Sequence, residues 1–119
     1  MINRDIKKQS ITWTSDKSQP IWVGDYRDVV LTIVGTGTAT VLATASKEVV
    51  DFTAASTIGN AFATVVIADL TTVTTPYATS LTVAGATKLG EINSNLVGWV
   101  CITRSANTLD AYLTYCDNS

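Results

Sequence analysis

No histidine occurs among the 119 residues of this chain, and only 15% of them are charged. The first absence removes the commonest general base, proton shuttle and metal ligand, so a Ser-His-Asp or Cys-His arrangement cannot be assembled from these residues. The second, with a net charge of -2 and a pI near 4.8, leaves no field to draw the chain onto nucleic acid or an anionic membrane. Long apolar runs are missing as well. Val29-Val30-Leu31 and Val65-Val66-Ile67 fall far short of the roughly 20 residues that span a bilayer as a helix. The charged start, Met1 to Lys8, predicts no secretory signal. Two cysteines, Cys101 and Cys116, lack zinc spacing, and Asp25 with Asp28 makes no EF-hand loop. None of the ten acidic residues is marked by a motif as half of a glycosidase pair. The expectation is a protein that is not an enzyme and needs neither cofactor nor metal.

What the chain has in place of charge is threonine, 20 residues of it, accompanied by many valines and alanines. Thr and Val are β-branched and stiff at χ1, which favours strands. Tyr26 to Val34 is the strongest strand: Val29, Leu31 and Ile33 share one face, while Val30, Thr32 and Val34 share the other, so it reads as central. Gly35-Thr36-Gly37 predicts a hairpin into Thr38 to Ala45. Lys47-Glu48 is expected at a loop tip and Asp51 to Ala55 in a single helical turn. Ala61 to Asp69 follows as a strand, then two short ones, Leu81 to Val83 and Lys88 to Asn93, divided at Ala84-Gly85-Ala86. A terminal hairpin joins Val97 to Arg104 with Thr108 to Tyr115.

The pattern predicts an all-β protein, an antiparallel β-sandwich of about 7–9 short strands with jelly-roll or immunoglobulin-like topology. Residues 1–19 are polar and mixed in charge and are expected to form an N-terminal arm with at most one short strand. Residues 20–119 form the single sandwich domain, since a chain this short has room for one core.

In the terminal hairpin Val100, Ile102, Leu109, Ala111, Leu113 and Tyr115 are assigned to the core. Trp99 and Tyr112 then stand on the other face. Hairpin register sets the two cysteines about 17 Å apart, beyond disulfide reach, so both are expected as thiols. Candidate interface residues are the arm anchors Ile2, Ile6, Ile11 and Trp13, the arm cations Lys7 and Lys8, and the aromatics Trp22, Tyr77, Trp99 and Tyr112.

Four stretches carry a family resemblance: Val29 to Val41 with its Gly35-Thr36-Gly37, Asp51-Phe52-Thr53-Ala54-Ala55-Ser56, Val66 to Leu70, and Thr82 to Asn93 followed by Gly98-Trp99-Val100-Cys101. Together they resemble small β-sandwich virion structural proteins of tailed bacteriophages, over roughly Tyr26 to Tyr115. The resemblance implies a capsid decoration or cement-type protein, often trimeric, that binds and stabilises the assembled head shell. Its partners would be the major capsid protein or other virion proteins, and its place the virion, assembled in the host cytoplasm. Lys47-Glu48-Val49-Val50 departs from the Gly/Asp-rich turn of that group. The alternative expectation is a receptor- or glycan-binding module of a tail, fibre or cell-surface assembly, suggested by Trp22, Tyr26, Tyr77, Trp99 and Tyr112.

Overall fold

A computed structural model describes residues 6–24, 26–44, 62–71, 77–92 and 98–117. They form eleven strands: β1 (Ile6–Ser10), β2 (Trp13–Thr14), β3 (Lys17–Ser18), β4 (Ile21–Trp22), β5 (Tyr26–Thr44), β6 (Ala63–Thr64), β7 (Ile67–Asp69), β8 (Tyr77–Ala78), β9 (Leu81–Ile92), β10 (Trp99–Arg104) and β11 (Leu109–Asp117). No helix is present among the described residues. The fold is all-β and sandwich-like, every pairing is antiparallel, and eleven strands replace the seven to nine expected. One sheet holds them: seven lie in the order β2-β3-β10-β5-β9-β7-β8, while β11 and β6 pair with β5, β1 with β11 and β4 with β10. The expected loop tip Lys47-Glu48, the helical turn Asp51 to Ala55 and Ile2 lie outside the described residues.

The organising element is β5, whose 19 residues include the glycines expected to end it. At ~3.3 Å per residue it would run about 60 Å if straight, well beyond the longest molecular dimension of 42 Å. It therefore bends, and the bend falls where Gly35 and Gly37 take φ of 113° and 149°. The expected hairpin is thus a kink inside one strand. Along one edge of β5 lie β11, opposite its first half, and β10, opposite its second. The expected terminal hairpin is corrected accordingly: β10 and β11 follow each other along β5 and do not pair together.

Residues 105–108 fill the interval between them at the bend. Thr36 N–H donates to the Thr108 carbonyl (3.1 Å) and Ser105 N–H to the Thr38 carbonyl (2.9 Å). Thr38 N–H donates to Ser105 Oγ (2.9 Å), and the Thr108 hydroxyl donates to the Thr36 carbonyl (2.6 Å). The backbone groups that the kink removes from the regular ladder are satisfied there.

On the other edge one strand, β9, pairs with β5 from Val29 to Ala39, in place of the two short strands expected, and β6 pairs with β5 at Leu42 and Ala43. Gly35 faces Ala86 and Thr36 faces Ala84, so Gly85 is an extra residue, a bulge with φ of 61°. Its N–H donates to Thr36 Oγ1 at 2.9 Å. One inserted residue exchanges the two faces of a strand. Leu81 and Val83 point inward before the bulge; Gly90 and Ile92 do so after it. The strand expected over Ala61 to Asp69 is divided into β6 and β7 at Val65-Val66.

The core contains Val29, Leu31, Ile33, Ala39, Val41, Ile67, Leu81, Ile92, Val100, Ile102, Leu109 and Leu113, all nearly inaccessible. It includes the face assigned to it on β10 and β11. Cys101 and Cys116 are free thiols, opposite Leu42 and Arg27 at far ends of β5. Burial pushes the Cys101 thiol up to about 12, which holds it protonated and unreactive.

Residues 6–19, the described part of the expected N-terminal arm, do not stand apart from the sheet. β1 pairs along β11, and β2 and β3 form a hairpin across Ser15 and Asp16, both at positive φ. β3 is fastened to β10 by the buried Ser18, whose hydroxyl oxygen accepts from Ile102 N–H at 2.8 Å. The Arg104 guanidinium lies 2.9 Å from the Asp16 carboxylate and 4.2 Å from the Trp13 ring centre.

Candidate functional site

The outward side chains of β5's first half are Val30, Thr32 and Val34. Strand register places their neighbours on the same face, because directly opposed residues point to the same side of a sheet. Thr114, Tyr112 and Asp110 of β11 stand on one flank; Glu91, Leu89 and Thr87 of β9 stand on the other. Beyond β11, Lys8 and Ser10 of β1 extend the face, and beyond β9 it continues through Ala68 to Tyr77. Leu70 is tied to this face by its N–H, which donates to the Leu89 carbonyl at 3.0 Å.

This six-strand face is sparse in charge and rich in exposed apolar groups. Val34 is 44% exposed, Leu89 38%, Leu70 53% and Tyr77 73%. Val66, also exposed, borders a shallow hollow with Tyr77. Two of the face's few charges are engaged: Lys8 Nζ lies 4.4 Å over the Tyr112 ring, and Asp110 accepts from Trp13 Nε1 at 3.2 Å. Exposed apolar and aromatic residues among few charges are the composition of an interface centre.

The described candidate residues from sequence fall into four places. Lys8, Tyr112 and Tyr77 lie on the outer face. Ile6, 70% exposed, begins β1 opposite Cys116, and Lys7 Nζ lies 5.8 Å from the Tyr26 ring. Trp22 and Trp99 face each other across β4 and β10, edge to face at 5.4 Å. The Trp99 indole N–H is buried with no hydrogen-bond partner among the described residues. Ile11 and Trp13 pack against the chain's own core, so these two anchor the N-terminal segment internally instead of standing out for a partner. Val34, Leu70 and Leu89 were missed. The sequence pattern sets Val34 on one apolar face with Val30 and Thr32 without saying which face turns outward; Leu89 depends on the bulge at Gly85, and bulge position has no reliable sequence mark.

Beside this face sits a buried carboxylate. Asp69 Oδ1 accepts from the Thr71 hydroxyl at 2.5 Å and from Thr71 N–H at 2.9 Å; Lys88 Nζ is 3.5 Å from Oδ2. The Thr71 hydroxyl, then its N–H, then the Lys88 charge hold the carboxyl below its ordinary value of 3.8, against the opposing effect of burial. A depressed folded-state pKa adds stability that is present above pH 3.8 and lost as pH falls through the folded value. Asp69→Asn is therefore expected to be less stable than the parent at pH 7, with the gap closing below about pH 4. Urea midpoints measured against pH check this. A gap that stays constant down to pH 2 would contradict it. Among the described residues, no group of three acidic or cysteine side chains is placed to hold a metal ion.

The bent sheet, with β10 and β11 in series along β5, defines the class: a sandwich-like antiparallel β-protein organised around one kinked central strand. The crystal structure of the SPBc2 prophage-derived protein YomS has the same fold, with a TM-score of 0.70 at 9% sequence identity, covering 98% of this chain and 97% of that one. No family model and no curated protein matches the chain by sequence.

Proposed function

We propose that this chain is a non-enzymatic structural protein of a tailed-phage particle, a capsid decoration or cement protein that docks on the assembled head shell. The observation that carries the reading is the outer sheet face. Its exposed Val34, Leu70, Leu89 and Tyr77 are held on a laterally hydrogen-bonded β scaffold, so little conformational entropy is lost when they are covered. The end-to-end likeness to a prophage-derived protein supports a phage setting, and the sequence resemblance supports attachment to the major capsid protein as a trimer. A stable contact buries about 1,200–2,000 Å² in total. Three copies arrayed on a repeating shell would add avidity to a modest single contact.

The direct test is the composition of particles purified from the source virus. The expected result is this chain in the virion at a fixed ratio to the major capsid protein, with the purified protein saturating shells that lack it. Absence from particles, together with no binding to shells, would overturn the proposal.

A further inference from the structure

A second surface feature is independent of the docking face. Between β1, residues 19–22, the start of β5 and the end of β11 lies an open cleft of about 330 Å³, within the range of small-ligand sites. Its walls carry three aromatic rings, Trp22, Tyr26 and Tyr115, and two carboxamides, Gln9 and Gln19. None of the described residues that line it is formally charged; Lys7 Nζ stands 5.8 Å from the Tyr26 ring.

The rings are held in place before any ligand arrives. Tyr26 and Tyr115 pack at 4.3 Å between centroids, with Tyr115 buried as floor. Trp22 leans edge-on against Trp99 and lies over Gly24, where an added Cβ would come within 2.4 Å of the indole. The backbone beneath is pinned by Val23 N–H to the Gly98 carbonyl (2.9 Å) and Tyr26 N–H to the Val23 carbonyl (3.1 Å). Gln19 is fixed as part of the wall, its Oε1 accepting from Thr12 N–H at 3.0 Å and its Nε2 donating to the Ser10 carbonyl at 3.4 Å. Gln9 gives one Nε2 proton to the Ser10 carbonyl at 3.1 Å, while its Oε1 accepts no hydrogen bond among the described residues.

We infer that this cleft is a binding site for a neutral saccharide. A pyranose presents an apolar C–H face to an aromatic ring and a rim of hydroxyls that both donate and accept. Aromatic walls with carboxamides match both, and the described lining residues offer an acidic or basic sugar no ion-pair partner. An extended peptide fits less well, because each of the four segments contributes only a short stretch and no strand-length groove is formed. Gly24 is a positioning residue, since its missing side chain lets Trp22 lie flat. Because the obstructed atoms are the far end of a side chain, Gly24→Ala is expected to turn the indole without unfolding the protein.

The test is an array of neutral and acidic oligosaccharides probed with the full chain, followed by titration of any retained sugar by tryptophan fluorescence. The expected result is saturable binding of a neutral oligosaccharide. Trp22→Leu and Gly24→Ala are each expected to weaken it about tenfold or more and Gln9→Ala several-fold, by analogy with the cost of losing a stacking or polar contact. Thermal unfolding confirms that each variant is folded, and Val34→Asp on the docking face is expected to leave sugar binding unchanged. Retention of no neutral saccharide, preference for acidic ones, or binding indifferent to both Gln9→Ala and Gly24→Ala would overturn the assignment. Sugar binding can fail while shell binding succeeds, and the reverse, so the two proposals are separable.

Discussion

Gly35→Ala is expected to lower the melting temperature by roughly 15 °C. Two costs add. At φ of 113° a side chain is strained by about 1–3 kcal/mol, and the new Cβ would lie 2.2 Å from the Thr108 carbonyl oxygen, a backbone atom. Relief requires residues 105–108 to move, loosening the hydrogen bonds that close the bend at about 1 kcal/mol each. A total near 4 kcal/mol is a large share of the 5–15 kcal/mol that holds a domain folded. Gly85→Ala is the matched comparison. Its φ of 61° is also positive, but nothing lies within 4 Å of the added Cβ. The expected cost there is the left-handed penalty alone, about 1 kcal/mol, or roughly 4 °C. Thermal unfolding of both variants checks the comparison. Equal effects would show that backbone strain matters at the bend and crowding does not.

The same two glycines show what was legible in the sequence. Gly35-Thr36-Gly37 marks a break in both readings, and its glycines take positive φ, but a local pattern does not distinguish reversal from a kink in a continuing strand. The difference is made by distant partners: β9, β10 and β11 hold both halves of β5 in one ladder. The period-two alternation that assigns Ile102 and Leu113 to the core, and sets Leu31 and Ile33 on one face, holds in the structure, because residue parity along a strand is local. Across Gly85 it failed, because one unpaired residue reverses parity. The polar first nineteen residues read as an arm for a related reason. The attachment of residues 6–19 runs through backbone pairing and single polar contacts, such as Ser18 to Ile102 and Asp16 to Arg104, which hydrophobic patterning does not reveal. The outer face was half visible: Val30, Thr32 and Val34 were recognised as a second largely apolar face, while Leu70 and Leu89 join them only through the register of β7, β9 and β5.

The second large effect concerns that face. Val34→Asp combined with Leu70→Asp is expected to weaken shell binding by about 1,000-fold, while the melting temperature shifts by only a few degrees. Both residues are about half exposed, so the folded monomer leaves the new carboxylates in water. In a docked complex they would be stripped of water with no partner, at about 2 kcal/mol or more each, and 4 kcal/mol corresponds to about three decades in affinity. A control pair on the N-terminal side, Lys7→Ala with Gln9→Ala, lies off this face and is expected to bind shells as the parent does.

Co-sedimentation with purified shells of the source virus, comparing the parent with Val34→Asp/Leu70→Asp, tests most directly whether this chain is a shell-binding part of a virion. The expected result is a parent protein that pellets saturably and a folded double variant that stays in the supernatant. A parent that fails to pellet, or a variant with an unchanged binding curve, would contradict the assignment of the outer sheet face as the docking surface.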